Sequence, residues 1–222
     1  MTEDLRFTSG LLNMSDAARY LGIPPETLRR WARGDESGGP ILHALPPADR
    51  QATVTFISLA EAYVLEALRD AGVNPRKIRP ALKRLQKEFS MEYVLVAREL
   101  ATDGIDVLWD FARTREGEGL IEARTGQRVM REIVEDYLQY LHWGADEFPQ
   151  MMELRRFHPS KVVVDPHRSF GQPFFAGSRT RVADVAALLK AGEDPEVIVD
   201  ELGVSPEDVR SAARVVLGGH AA

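Results

Sequence analysis

Apolar positions recur at helical spacing over Ser15–Leu21, Pro25–Arg33, Leu59–Ala71 and Pro75–Glu88, and again over 127–139. Three short helical runs close the chain: Val182–Ala191, Pro195–Leu202 and Pro206–Leu217. Between these regions the period changes. Met91–Leu100, Ile105–Phe111 and Gly119–Arg124 read as strands, with Ile105, Val107, Trp109 and Phe111 alternating onto one face. Gly- and Pro-rich stretches without periodicity interrupt the pattern at 34–49, 114–119 and 157–178, the last holding a short Val162–Val164 strand. There is no repeat of fixed period.

The sharpest local pattern lies at 15–33. Ser15 is a natural N-cap, since its hydroxyl can accept a bond from a first-turn amide. Ala17, Ala18 and Leu21 form a small apolar face that permits a close helix crossing. Gly22 stops the first helix where a positive φ is needed, Ile23 plugs the angle, and Pro24-Pro25 starts the second helix. There Leu28, Trp31 and Ala32 face inward, which leaves Thr27, Arg29, Arg30 and Arg33 on the outer faces. A helix, a short turn and an Arg-rich helix are the layout of a DNA-reading helix-turn-helix.

Thr27-Leu28-Arg29-Arg30-Trp31, after the paired Ala and the turn Gly, resembles the N-terminal domain of MerR-type regulators. The resemblance implies a β-ribbon wing over about His43 to Thr55 with Arg50 near its tip, then a second helix pair. Phe56-Ile-Ser58-Leu-Ala-Glu61 would open that pair, with Ala71-Gly72-Val73-Asn74-Pro75 as its turn. Ser58 and Glu61 also fit a capping box. The implied wing loop is long for the family and holds Pro46 and Pro47.

The C-terminal quarter resembles the small trihelical domain of unknown function 433. The anchors are Asp165-Pro166, Gly171-Gln-Pro173, Gly177-Ser178-Arg179-Thr180-Arg181-Val182, Ala191-Gly192 and Glu207-Asp208-Val209. A MerR-like start, an acidic middle and this ending together resemble VapB-type antitoxins of the atypical, non-AbrB kind. That resemblance implies a homodimeric autorepressor that binds operator DNA and neutralises a PIN-like ribonuclease toxin. The adjacent Phe174 and Phe175 point to opposite sides if extended, so one is expected in the core and the other against a neighbouring domain of the same chain or a bound partner. Arg179 and Arg181 flank them as further partner-binding candidates.

The 222 residues carry 28 basic and 34 acidic side chains, a net charge of −6. Residues 1–90 are net +2 and 91–158 net −6, so the basic balance sits with the reading helix, and the acidic middle is either a face for a basic partner or an ordinary dimerisation or linker domain. The absence of Cys excludes thiol nucleophiles and Cys-ligated metal centres. Asp103, Asp106 and Asp110 read as a turn and a solvated strand face, and His142, His158 and His167 are too scattered for a zinc motif. Neither a secretory signal nor a membrane span is recognisable, so a cytoplasmic protein without cofactor or catalytic activity is expected. The predicted fold is α+β and mostly helical: a winged helix-turn-helix at 1–90, a mixed β/helix middle at 91–160 and a trihelical domain at 161–222. The alternative is a MerR-like regulator with a small-molecule effector in its middle domain, which requires a pocket with convergent polar groups.

Overall fold

The computed structural model describes residues 4–34, 38–46, 52–122 and 126–218, excluding the side chains of 101 and 102. The helices are α1 (Leu5–Thr8), α2 (Met14–Leu21), α3 (Pro25–Arg33), α4 (Phe56–Asp70), α5 (Ile78–Phe89), α6 (Ile105–Ala112) and α7 (Gln127–Leu138). Four short strands follow, β1 (Leu141–Trp143), β2 (Pro149–Glu153), β3 (Val162–Val164) and β4 (Phe174–Phe175). Helices α8 (Val182–Ala191), α9 (Pro195–Leu202) and α10 (Pro206–Ala212) close the fold.

The chain divides into two compact units that do not follow chain order. The first gathers Met1–Leu28, Ala44–Phe56 and Gln150–Ala222, and the second Arg29–His43 and Ile57–Pro149. In the first, β2, β3 and β4 pair antiparallel, with Met152 opposite Val164 and Val162 opposite Phe175. Ala17 and Ala18 of α2 are fully buried, and α2 packs on the 3-10 turn Arg155–Phe157 and the π-helical run Ala213–Leu217. Small side chains permit that approach, and the larger Tyr20 ring lies 6.0 Å from Phe157. Ser205 caps α10 in a capping box with Asp208, and Pro206 holds the first helical position.

In the second unit α4 is buried nearly all round, with Ile57, Ala60, Val64 and Leu68 at 0–1% exposure. Helix α5 contributes Ile78, Ala81, Leu82 and Leu85 to the core, and α7 contributes Met130, Val134 and Leu138. The segments read as strands are helical here. Val94–Val96 is a 3-10 turn, Leu100–Gly104 a π-helical turn, and 105–112 is α6. Leu108 explains the error: it breaks the alternation and joins Ile105 and Phe111 in a stripe of three-residue spacing, while Val107 and Trp109 are half-buried. Of the expected 119–124 strand, an isolated bridge between Val73 and Ile121 remains among the described residues. Asp106 and Asp110 therefore share a helix face, and Asp106 accepts bonds from Gln127 (2.7 Å) and Arg131 (2.5 Å).

Two capping assignments also change. The N-cap of α2 is Asn13, whose side chain accepts from Asp16 N–H at 2.8 Å, so Ser15 lies inside the helix. Helix α4 begins at Phe56, which places Ser58 and Glu61 inside it. Both reach His43 instead: the Ser58 hydroxyl donates to the His43 carbonyl at 2.5 Å, and the Glu61 carboxylate accepts from the His43 amide at 2.9 Å.

Candidate nucleic-acid interface

The turn between α2 and α3 forms as the residues require. Gly22 adopts φ 78°, its amide closing onto Ala18 and Arg19 carbonyls. Ile23 is 3% exposed and its amide bonds the Ala18 carbonyl at 2.9 Å. The Arg156 guanidinium donates to the Arg19 carbonyl at 3.0 Å, satisfying a carbonyl at the end of α2.

Helix α3 buries Leu28 (1% exposed) and Trp31 (2%) and leaves Arg33 exposed, with Thr27, Arg29 and Arg30 half-buried. Four of its nine residues are thus a hydroxyl or guanidinium on the faces left by the buried stripe. Its end is fixed by Gly34 at φ 83°, whose amide bonds the Arg30 carbonyl at 2.8 Å. The following chain returns to it, with the amides of Ile41 and Leu42 bonding the Trp31 carbonyl at 2.9 and 3.3 Å.

The base of the expected wing is present. Leu12 bridges Val54 antiparallel, and the Leu45 amide bonds the Thr53 carbonyl at 2.9 Å. Arg50 lies outside the described residues. In the second unit His43 is clamped: its Nδ1 is 2.6 Å from the buried Glu61 carboxylate, and its ring lies 4.5 Å from that of Tyr93. The bond to Glu61 holds the imidazole pKa above its usual value against the opposing effect of burial.

The C-terminal candidates separate. Phe174 and Phe175 are both buried, at 4% and 1%, so of the two expected roles for the second ring it is packing within the chain that the burial fits. Both faces of β4 are covered: Phe175 meets Phe157 edge-on at 6.5 Å, while Phe174 lines a shallow hollow with Arg168, Ser169 and Arg179. Arg179 and Arg181 are exposed, and Arg181 pairs with Asp184 at 2.8 Å. The large exposed ring of this module is Phe170, which the sequence reading did not single out. Among the described residues no group of three or more His, Asp or Glu gathers as a metal site, and no helix is long and apolar enough to cross a membrane.

A helix-turn-helix with this Arg-bearing face, followed by a small trihelical module, defines a protein with a DNA-binding domain. The family described as "Putative DNA-binding HTH domain" matches residues 10–82, and "Protein of unknown function (DUF433)" matches 162–214. A Mycobacterium tuberculosis protein named "Putative antitoxin VapB45" is 42% identical, the match covering 94% of this chain and 95% of that one. "Uncharacterized protein Rv2308" of the same organism is 26% identical over 89% of this chain and 86% of its own length. The X-ray crystal structure of Rv2018 from M. tuberculosis superposes with a TM-score of 0.78 at 41% identity, covering 94% of this chain and 99% of that one. The chain belongs to the family of the VapB45 protein.

Proposed function

We propose that the chain is a DNA-binding antitoxin that neutralises a PIN-like ribonuclease toxin and represses the operon encoding both. The observation that carries the reading is the α2–α3 arrangement, with Leu28 and Trp31 buried and Thr27, Arg29, Arg30 and Arg33 on the remaining faces. Kinship with a relative named as an antitoxin supports the toxin-binding half. The protein acts in the cytoplasm, by binding rather than by catalysis. It works as a homodimer, because one recognition helix reading about three or four base pairs lacks operator specificity against a genome. Arg50 would extend the contact along the wing, as in MerR-type regulators. Arg181 is the surface group assigned to the toxin side. The test is co-expression with the product of the adjacent gene. Growth arrest by that product alone, relieved by this chain and accompanied by co-purification of the two, is expected. Arrest that persists at equal expression overturns the antitoxin half.

A second reading, a regulator with a small-molecule effector, is favoured by one observation. The second unit holds a cavity of about 300 Å³ whose lining combines Leu42, Leu82 and Leu95 with Arg79, Lys83, Glu61 and Glu92. A small molecule released from the purified, denatured protein and identified by mass spectrometry would support it.

A further inference from the structure

Phe170 is 90% exposed, yet its backbone is held firmly in an unfavourable conformation. Ser169, Phe170 and Gly171 take φ of 48°, 55° and 71° in succession, a region that L side chains seldom enter. The loop is braced from behind. The Gly171 amide bonds the Arg168 carbonyl at 2.8 Å, the Gln172 side chain donates to the Leu11 carbonyl at 2.6 Å, and a Cβ on Gly171 would lie 2.4 Å from Leu11 Cδ2. Burying this ring in the core would relieve the exposure; the fold instead fixes it outward. A rigid aromatic on a braced loop loses little entropy when it docks.

The surroundings of Phe170 are basic. Arg168 and Arg179 line one hollow with Ser169, the neighbour of Phe170. Arg168 contacts Asp165 at 3.3 Å, while Lys161 and Arg181 are paired with Glu153 and Asp184, so the local excess is modest. The far part of the same module has the opposite character. Residues 191–209 contain seven acidic side chains and no basic one. There a groove of about 540 Å³ runs between the end of α8 and helices α9 and α10, floored by Leu189, Val199 and Val209 with Pro195 and Pro206. Glu196 and Asp200 rim it, and the one basic lining group, Arg210, is engaged by Glu207 at 2.7 Å.

An outward aromatic with a basic collar and an apolar groove with an acidic rim thus sit on one module and complement each other in shape class and charge. We propose that two copies of the chain associate through residues 162–214, Phe170 of each entering the α8–α9–α10 groove of the other. This assigns a surface to the homodimer proposed above and rests on that pairing. A two-fold contact of this kind makes the same pair of interactions twice, and charge depletion at its apolar centre with opposite charges at its rim matches the anatomy of specific interfaces.

The test is sedimentation of the full chain across the micromolar range, without DNA or toxin. The wild type is expected to pass from one chain to two, with Phe170→Ser and Val199→Arg each weakening association at least tenfold while circular dichroism stays unchanged. Glu196→Arg/Asp200→Arg and Arg168→Glu/Arg179→Glu are each expected to be monomeric alone. Mixed one to one they should pair, because each basic collar then meets an acidic rim and each acidic collar a basic one. That rescue cannot arise from misfolding. A wild type that stays monomeric overturns both the surface and the pairing. A dimer that survives all four variants overturns the surface and leaves the pairing standing.

Discussion

At the level of single residues, two buried acidic side chains of α4 matter most to the second unit, Glu66 for its response to pH and Glu61 for its response to substitution. Glu66 is 8% exposed on α4, with Arg69 one turn away, and burial pushes its carboxyl up to about 7. A raised carboxyl favours the fold fully below its free value of 4.5 and loses that contribution as pH rises through about 7. Glu66→Gln should therefore flatten the loss of urea stability between pH 5 and 8, a difference of up to about 3 kcal/mol. An unchanged slope in the variant would show that Glu66 is not the titrating group. His43 runs in the same direction, because its raised pKa makes the clamp on Glu61 complete below the free value of 6.5 and weaker above the folded one. Glu61→Ala removes the acceptor of both the amide and the ring, and should cost about 3 kcal/mol at pH 6 by denaturant titration. Neither role was legible from sequence, where Glu61 fits a capping box: the helix starts two residues before Ser58, so Ser58 and Glu61 face the loop at His43 rather than the helix's own N-terminus.

Among the elements, the helix-turn-helix was readable because its signals are local. Gly22 needs positive φ, Leu28 and Trp31 lie three apart, and Pro25 suits a first helical turn, so the sequence limits of α3 and the observed Pro25–Arg33 coincide. The same holds for α8, α9 and the Ser205 cap, whereas the expected Pro206–Leu217 helix is α10 only to Ala212 and continues as the π-helical run Ala213–Leu217. Helix α6 was not readable. Its four alternating apolar residues satisfy a strand period, and only tertiary burial of Leu108 selects the helix. β1 and β2 escaped notice because three- to five-residue strands carry too few positions for a period to emerge. Phe174 and Phe175 show where alternation stops being informative: the segment is extended as expected, but the pattern could not tell packing within the chain, which burial of both rings fits, from contact with a partner. The turn invites a direct test. Gly22→Ala must hold φ 78° with a Cβ 2.9 Å from Arg156 Nη1, and it should destabilise by about 1–2 kcal/mol in thermal or urea unfolding. A neutral substitution would mean that the turn relaxes and that its geometry is not what orients α3.

On the scale of the whole molecule, the interleaving of the units changes what a truncation can do. A basic 1–90 segment reads from sequence as a separable DNA-binding module. In the fold, α2 packs on residues 155–157 and 213–217, Arg156 caps it, and Leu11 backs Gly171 and Gln172. A fragment ending at 90 loses all of these partners, so it should show little cooperative unfolding and no sharp amide dispersion, whereas the full chain unfolds cooperatively. Tests of function therefore need the intact protein. Whether α3 reads DNA is measured by the affinity of the full chain for the DNA upstream of its own gene as a function of salt. Against the wild type, the triple variant Arg29→Ala/Arg30→Ala/Arg33→Ala should lose at least tenfold in affinity. The slope of log K against log salt should become shallower by about 1 for each phosphate contact removed, and any of the three that reads a base should relax specificity at a cost of about 1–3 kcal/mol. Equal affinity and equal slope in a triple variant with an unchanged circular dichroism spectrum would contradict the account.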